Sequence, residues 1–423
     1  MQPAIAPGRR AWIMLVVLTM LTTAGMTVVL PVLPFVVLRY VPHTHLALWV
    51  GVLEAVNGLC TFLVAPLLGA LSDRVGRRPI IVVAAFGAAV GYLLFGIGGA
   101  LWVLVLGRIV QGATAGDLPA LFAYLADITP PEQRARRFGL LGALSGIGTM
   151  VGPALGGLLA AVNVDFPVFV TAGIAAAIGV ISLVLLPESL PAERRTRAVR
   201  LGDLHPFRVL TGAFTRPELR GLLVGIVLVT VPFSFFVNNF SVLALDSLTW
   251  TPTRIGLLTA VVGVVDIVIQ GGLLGLLLRR HGERGVLLGG IATQAVGMLC
   301  LAVVASVLAQ PWLFIIGTLV LAAGQGAAQA TMDGVASNAV DGDEQGWLAG
   351  AIQSITAGVG VVAPLLAGAL YASINHAGPY AVGLAMMAAA VLVLARAGVA
   401  SPSRRGDAEL VAVPGVQVQR AQV

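Results

Sequence analysis

GALSDRVGRRPI, residues 69–80, joins two long apolar runs. Four of the six residues from Asp73 to Arg78 are ionisable: Asp73, Arg74, Arg77 and Arg78. A solvated loop accounts for the charge, but not for the degraded copy GLLLRRHGERGV at 275–286. At an offset of 206 residues, Gly69 matches Gly275, Gly76 matches Gly282 and Arg78 matches Arg284. A weaker pair, GTMVGPALGG at 148–157 and GVVAPLLAGA at 360–369, sets Pro153 against Pro364. A chain that repeats once in parallel, with apolar runs on both sides of the repeated loop, describes two six-helix halves around a central cavity.

Composition places those halves in a bilayer. The 423 residues are 58% apolar and only 10% charged, with a mean hydropathy of +0.97, whereas a soluble domain is about one quarter charged. The 52 glycines suit membrane helices, where small residues let backbones approach. Twelve runs reach the roughly 20 residues that a spanning helix needs. They lie at 11–38, 47–72, 79–99, 101–127, 136–162, 166–186, 219–245, 253–279, 285–307, 311–337, 345–372 and 378–397, and are called helices 1 to 12 below. A membrane β-barrel would show shorter segments of alternating polarity. The expected fold is therefore all-α and integral to the membrane. It divides into an N-terminal half at 1–186, a cytoplasmic linker at 187–218 with a short surface helix, a C-terminal half at 219–397 and a disordered tail at 398–423.

All 25 basic residues are arginine. They crowd the N-terminus, the 2–3, 4–5 and 8–9 loops, the linker and the tail, while the opposite side carries only Arg39 and Arg254. The positive-inside rule then puts both termini and the basic loops in the cytoplasm of a multi-pass protein of the inner (plasma) membrane. Arginines confined to short loops read as topology, so no nucleic-acid partner is expected. The N-terminal run is too long for a signal peptide. Cys60 and Cys300 read as buried free thiols. The five histidines fall in loops or at helix ends without a ligand set, so no metal or other cofactor is expected.

A charge in the membrane core costs at least about 2.5–3.5 kcal/mol, so each one needs a reason. Asp117 sits mid-helix in GATAGDLP, where Pro119 removes a backbone donor and two glycines loosen the turns. A carboxyl beside a weakened helix can hold a proton or a cation, or can stay protonated and bond a neighbouring helix. Asp266 lies mid-membrane one turn before Gln270; it reads as a second proton site or as a carboxyl–amide packing pair. Glu54 and Arg108 share a depth on helices 2 and 4 and can pair, either structurally or as a proton switch. Asp127 can pair with Arg77, and Asp333 can reach Arg279 or Arg280, both at the inner ends of their helices.

These residues carry a family resemblance. GALSDRVGRRPI resembles the helix 2–3 signature of the major facilitator superfamily, and GRIVQG at 107–112 its helix 4 motif. GTMVGPALGG, with Gly148, Gly152, Pro153, Gly156 and Gly157, resembles the helix 5 motif of drug/proton antiporters. PVLP at 31–34 resembles the end of helix 1 in the same exporters. YLADITPPEQRARRFG at 124–139 and LLPES at 185–189 are most similar to the tetracycline/proton antiporter group. That group's membrane acids in helices 1, 3 and 9 align with Thr22, Gly91 and Gln294, so the resemblance implies proton-driven export without naming the cargo.

The resemblance further implies that helices 1, 4, 7 and 10 line the cavity. It thereby nominates Thr22, Thr23, Asn238, Asn239, Gln325 and Gln329 as contacts for a small amphiphilic substrate. It implies a gate at Gly69, Asp73, Gly76, Arg77, Arg78 and Asp127. There Gly69 lets helix 2 approach helix 11, Asp73 meets the start of helix 11 near Gly346, and Arg77 holds Asp127. The partners expected are a small molecule, protons and lipid, and a monomer is expected. A metabolite or sugar transporter of the same fold, or a non-transporting sensor, are the other readings. No nucleophile or acid–base set marks an enzyme.

Overall fold

The computed structural model describes residues 9–195, 214–340 and 344–396. Among these residues the regular structure is helical throughout. Helix 1 (Arg9–Val28) stops before Pro31, a residue that cannot donate a backbone hydrogen bond, and a short piece at Leu33–Val37 follows. Helices 2 and 3 are Leu46–Val75 and Arg77–Ile97. Helix 4 is two pieces, Leu101–Ala113 and Asp117–Ile128. Helices 5, 6 and 7 follow at Pro131–Ala160, Phe166–Leu185 and Pro217–Leu248.

Pro252–Ser306 runs as one 55-residue helical stretch. At 1.5 Å per residue it would be about 80 Å long, more than twice the hydrocarbon core. Gly282, at φ 68°, divides it. Helix 8 begins at Pro252–Ile267 and passes through a π turn at Val268–Leu273; helix 9 follows Gly282 and ends at Ser306. Helices 10, 11 and 12 are Pro311–Asn338, Gln345–Ser373 and Gly378–Arg396. The expected twelve spans are thus present. The continuous runs read for helices 1 and 4 are interrupted, and helix 5 starts five residues earlier than expected, at a proline in its first turn. The tail at 398–423 and most of the linker fall outside the described residues; the described part of the linker has one 3-10 turn, Ala192–Arg194.

The repeated loop performs the same two tasks twice. Gly76 (φ 113°) and Gly282 (φ 68°) both take left-handed backbone between consecutive helices, a conformation that costs glycine least. Arg78 reaches the end of helix 6, donating to the carbonyls of Ser182 and Leu183. Arg284 reaches the end of helix 12 and donates to the carbonyl of Ala395 at 2.7 Å. Helix C-termini expose carbonyls and carry partial negative charge, which an arginine satisfies on both counts. At the start of helix 11, Arg216 grips Glu344 with two bonds of 2.9 Å and lies 4.4 Å over the ring of Trp347. That bond holds the Glu344 carboxyl below its ordinary range.

The glycines of helix 5 form its packing faces. A Cβ on Gly148, Gly152 or Gly156 would strike helix 1, at Thr23, Thr27 and the carbonyl of Val28 respectively. Gly157 abuts Pro252 and Gly256 of helix 8 in the other half. Gly156→Val is therefore expected to force helices 1 and 5 apart, an overpacking cost of about 1–3 kcal/mol. Thermal unfolding of the purified protein in detergent checks it: Gly156→Val should lower the midpoint clearly. Gly142→Val, where an added Cβ meets nothing within 4 Å, should leave it unchanged.

Among the described residues, the close glycine contacts between the two halves lie at one end. Gly51 and Gly58 of helix 2 lie against Pro364 and Gly360 of helix 11, and Gly368 lies against Ala47. Gly256 and Gly263 of helix 8 meet Pro153, Gly157 and Met150 of helix 5. All these contacts sit in the arginine-poor half of the helices. At the arginine-rich end, Gly69, Gly139, Gly142, Gly275 and Gly350 have no atom within 4 Å of an added Cβ. The expected approach of Gly69 to helix 11 is consequently not made. The glycine contacts between helices 2 and 11 are nearer the other end because the halves splay at the basic one.

Candidate functional site

Three cavities meet around helix 11. The first, about 370 Å³, lies within helices 1, 2, 3, 4 and 6 and is closed on one side by helix 11. Thr22, Glu54, Arg108, Gln111 and Asp117 supply its polar wall, with Gln353 facing them from the second half. The second, about 220 Å³, lies between helices 1, 2, 7 and 11 and shares Glu54 and Asn57 with the first. The third, about 320 Å³, belongs to helices 7, 10 and 11 and includes Thr230, Phe233, Gln325, Gln329 and Asp333. Thr356 lines both the first and the third, so the two flank one central space.

Asp117 owes its position to a real break. Helix 4 stops at Ala113, and Thr114, Ala115 and Gly116 form a turn. The chain restarts with Asp117 as the first residue of the next piece, its Oδ1 accepting the amide of Leu118 at 2.9 Å. The break thus sets Asp117 in the cavity wall with a helix N-terminus, which favours negative charge, at its own position. Among the described residues, no arginine or histidine lies within ion-pair distance of it.

The expected Glu54–Arg108 pair is formed, Nη2 to Oε1 at 2.8 Å. Arg108 also donates to Gln111 at 3.1 Å and lies 5.0 Å over the Phe95 ring. Its side chain is 8% exposed and that of Glu54 25%. Glu54 is therefore the more accessible partner of the two.

The residues expected to form a gate make a chain of contacts at the basic end. Arg77 bonds Asp127 at 3.0 Å, as expected, and Asp73 at 2.5 Å. Ser189 donates to the same Asp127 oxygen at 3.0 Å. Glu188 accepts the amides of Arg77 and Arg78 at 2.8 and 3.2 Å, capping helix 3, and those of Ser189 and Leu190 at 3.0 Å each. A Cβ on Gly76 would collide with that carboxylate. Glu188 was not among the candidates; LLPES pointed to it only through family resemblance, because a glutamate just past a helix carries no signal of its spatial neighbours.

Other candidates are placed differently. Asp73 turns to Arg77 on its own side of the splayed end. Asp333 bonds Gln329 at 3.0 Å, and no ion pair joins it to Arg279 or Arg280 among the described residues. Asp266 does bond Gln270 at 2.8 Å, but it packs toward Gly326 and lines none of the three cavities. Asn239 is 1% exposed and ties helix 7 to the Ala367 carbonyl of helix 11 at 3.1 Å. Thr23 donates back to its own helix at Thr19 and packs on Gly148. Asn239 and Thr23 are interhelical packing groups because their side chains face a neighbouring helix. Thr22, Asn238, Gln325 and Gln329 do line cavities. Among the described residues no group of three or more His, Cys, Asp or Glu is placed to hold a metal.

Comparison with known proteins agrees with this architecture. The chain is 34% identical over 359 residues to the tetracycline resistance protein, class C, of Escherichia coli, covering 84% of this chain and 87% of that protein. It is 30% identical over 380 residues to the class H protein of Pasteurella multocida, covering 90% and 93%. The crystal structure of the human organic anion transporter MFSD10 (TETRAN) superposes with a TM-score of 0.66 at 20% identity, covering 93% of this chain and all of that one. The Major Facilitator Superfamily model matches residues 15–244 and 222–414. With both halves matched, the chain belongs to the Major Facilitator Superfamily.

Proposed function

We propose that the protein is a proton-coupled antiporter that exports small amphiphilic organic molecules across the inner membrane, with its arginine-rich end in the cytoplasm. The observation that carries the reading is Asp117, a carboxylate at a helix break in a cavity whose surrounding halves splay at the basic end. The chain's similarity to proteins named for tetracycline resistance supports export as the direction.

The cycle follows from charge. With the basic end open, ionised Asp117 attracts an amphiphile that carries positive charge, while Phe233, Met332 and the helix 11 face accept its apolar body. Rocking of the halves turns the cavity outward. A proton taken from that side neutralises the carboxylate and weakens its hold on the cargo, so release and proton uptake are linked. Glu54, reachable from the first and second cavities, is the second proton acceptor, held ionised by Arg108 until the pair separates. The protein works as a monomer in this scheme, because all the groups invoked lie in one chain.

The site lacks the three membrane acids that the resemblance to the tetracycline group implies. An acid at position 91 has no room: an added Cβ there meets the Gln111 side chain and the Gly107 carbonyl. Gln294 is fully buried, and Thr22 offers a hydroxyl where the resemblance implies a charge.

The test is transport into proteoliposomes of the full chain, using a fluorescent lipophilic cation with and without an imposed pH gradient. Uphill accumulation that an uncoupler collapses is expected. Accumulation that ignores the uncoupler, or none for any amphiphile tried, overturns the proposal.

A further inference from the structure

At the arginine-poor end, where the halves close, a titratable cluster lies outside the central cavities. His43, in the His43–His45 turn between helices 1 and 2, places Nδ1 3.3 Å from Oδ1 of Asp246 near the end of helix 7. The contact joins the two halves. Oδ2 of Asp246 accepts the Tyr371 hydroxyl of helix 11 at 3.0 Å. Tyr371 stacks on His376, centroids 4.5 Å apart. His45 is engaged with Thr44, and Arg39, the arginine of the same connection, is taken by Asp165 at 2.7 Å. Thus, among the described residues of the N-terminal half, His43 is the group that can place a positive charge on Asp246.

Exposure assigns the roles within the pair. The Asp246 side chain is 8% exposed and that of His43 59%. Water on that side reaches the imidazole and hardly touches the carboxylate. An ionised carboxylate this deep needs compensation, and the tyrosine hydroxyl supplies only one hydrogen bond. Histidine is the side chain whose charge ordinarily changes between about pH 5 and 8.

We propose that His43 and Asp246 form a proton-operated clasp that closes the outer side of the transporter. A proton from the external medium binds the imidazole and gives an imidazolium–carboxylate pair across the halves. Closure is favoured at acidic pH and weakens as pH rises and His43 loses its charge. External acid therefore returns the carrier toward the cytoplasm-facing state after cargo has left. Calling that side external rests on the orientation proposed above.

The test is double electron–electron resonance on the full chain in lipid nanodiscs. Labels at Ala161→Cys and Ala309→Cys, in a Cys60→Ser/Cys300→Ser background, report the separation of the halves at this end. Between about pH 8 and pH 5.5 the closed-to-open ratio is expected to rise about fivefold, the upper end of what an exposed ion pair contributes, since one partner is buried. His43→Gln should flatten that response, and His43→Arg should hold the end closed at both pH values. An unchanged pH response in His43→Gln, or no response in the parent, overturns the clasp. Transport in proteoliposomes separates the two proposals. A clasp that responds to pH in a protein without proton-driven export sinks antiport alone; export that persists with an unresponsive clasp sinks the clasp alone.

Discussion

Asp117→Asn is expected to abolish export driven by a pH gradient while the protein still folds. The asparagine carbonyl can accept the Leu118 amide as Oδ1 does at 2.9 Å, so the first turn of the second piece of helix 4 keeps that hydrogen bond. Side-chain volume is almost unchanged, and the cavity wall stays intact. The ability to ionise is lost. Without it the site cannot alternate between holding a cation and holding a proton, and the two fluxes become independent. A loss of one decade in gradient-driven uptake corresponds to about 1.4 kcal/mol of coupling, and complete uncoupling should exceed that. Asp117→Glu restores the charge and should recover part of the rate. The measurement is uptake into proteoliposomes with an imposed pH gradient, next to thermal unfolding of the same preparation. If Asp117→Asn transports as well as the parent, the coupling proton binds elsewhere, and Glu54, paired with Arg108 at 2.8 Å, becomes the next group to test.

How much of this was legible in the sequence depended on whether a residue's neighbour was implied by pattern. The spans were readable because a bilayer demands long apolar runs, and the duplicated glycines marked two loops that the backbone indeed turns with positive φ at Gly76 and Gly282. The Glu54–Arg108 and Arg77–Asp127 pairs were readable because opposite charges at one membrane depth have few other partners. Thr23 and Asn239 show the limit. Each is polar, and each lies on a helix that the resemblance made cavity-lining, yet their rotation about the helix axis points them at Gly148 and Ala367. That rotation is set by how glycine faces seat two helices, information held in the pair of sequences and in neither alone. Glu188 and the His43–Asp246 contact escaped for a related reason: their partners lie more than 100 residues away and no charge periodicity links them.

Asp73→Asn is expected to impair transport strongly, and Arg279→Ala much less, although the repeat makes the two positions equivalent. With the basic end splayed, Asp73 is held by Arg77 at 2.5 Å, and its side chain remains 51% exposed. It is thus near a helix 2 terminus with room to move, on the wall that must meet helix 11 when that end closes. A carboxylate arriving at the start of helix 11 gains about 0.3–1 kcal/mol from the helix dipole, more if partly buried. Arg77 then keeps Asp127, at 3.0 Å, as its partner, so forming one contact does not leave a buried guanidinium unpaired. In the second half the aspartate is replaced by Arg279 and the arginine by Glu283. An arginine is repelled by a helix N-terminus, so this loop cannot make the mirror-image contact. What the second loop retains is structural: Gly282 turns the chain and Arg284 caps helix 12 at Ala395. The latch is therefore expected to act from one side, with closure of the basic end depending on Asp73 alone among the matched acidic and basic positions. Initial rates of export in proteoliposomes, at matched protein incorporation, decide it. A drop of about fivefold or more is expected for Asp73→Asn, the upper end of a helix-terminus charge interaction, with Arg279→Ala within twofold of the parent. Equal losses for the two variants would mean that both loops close the gate, and that the divergence of the repeat at these positions carries no functional asymmetry.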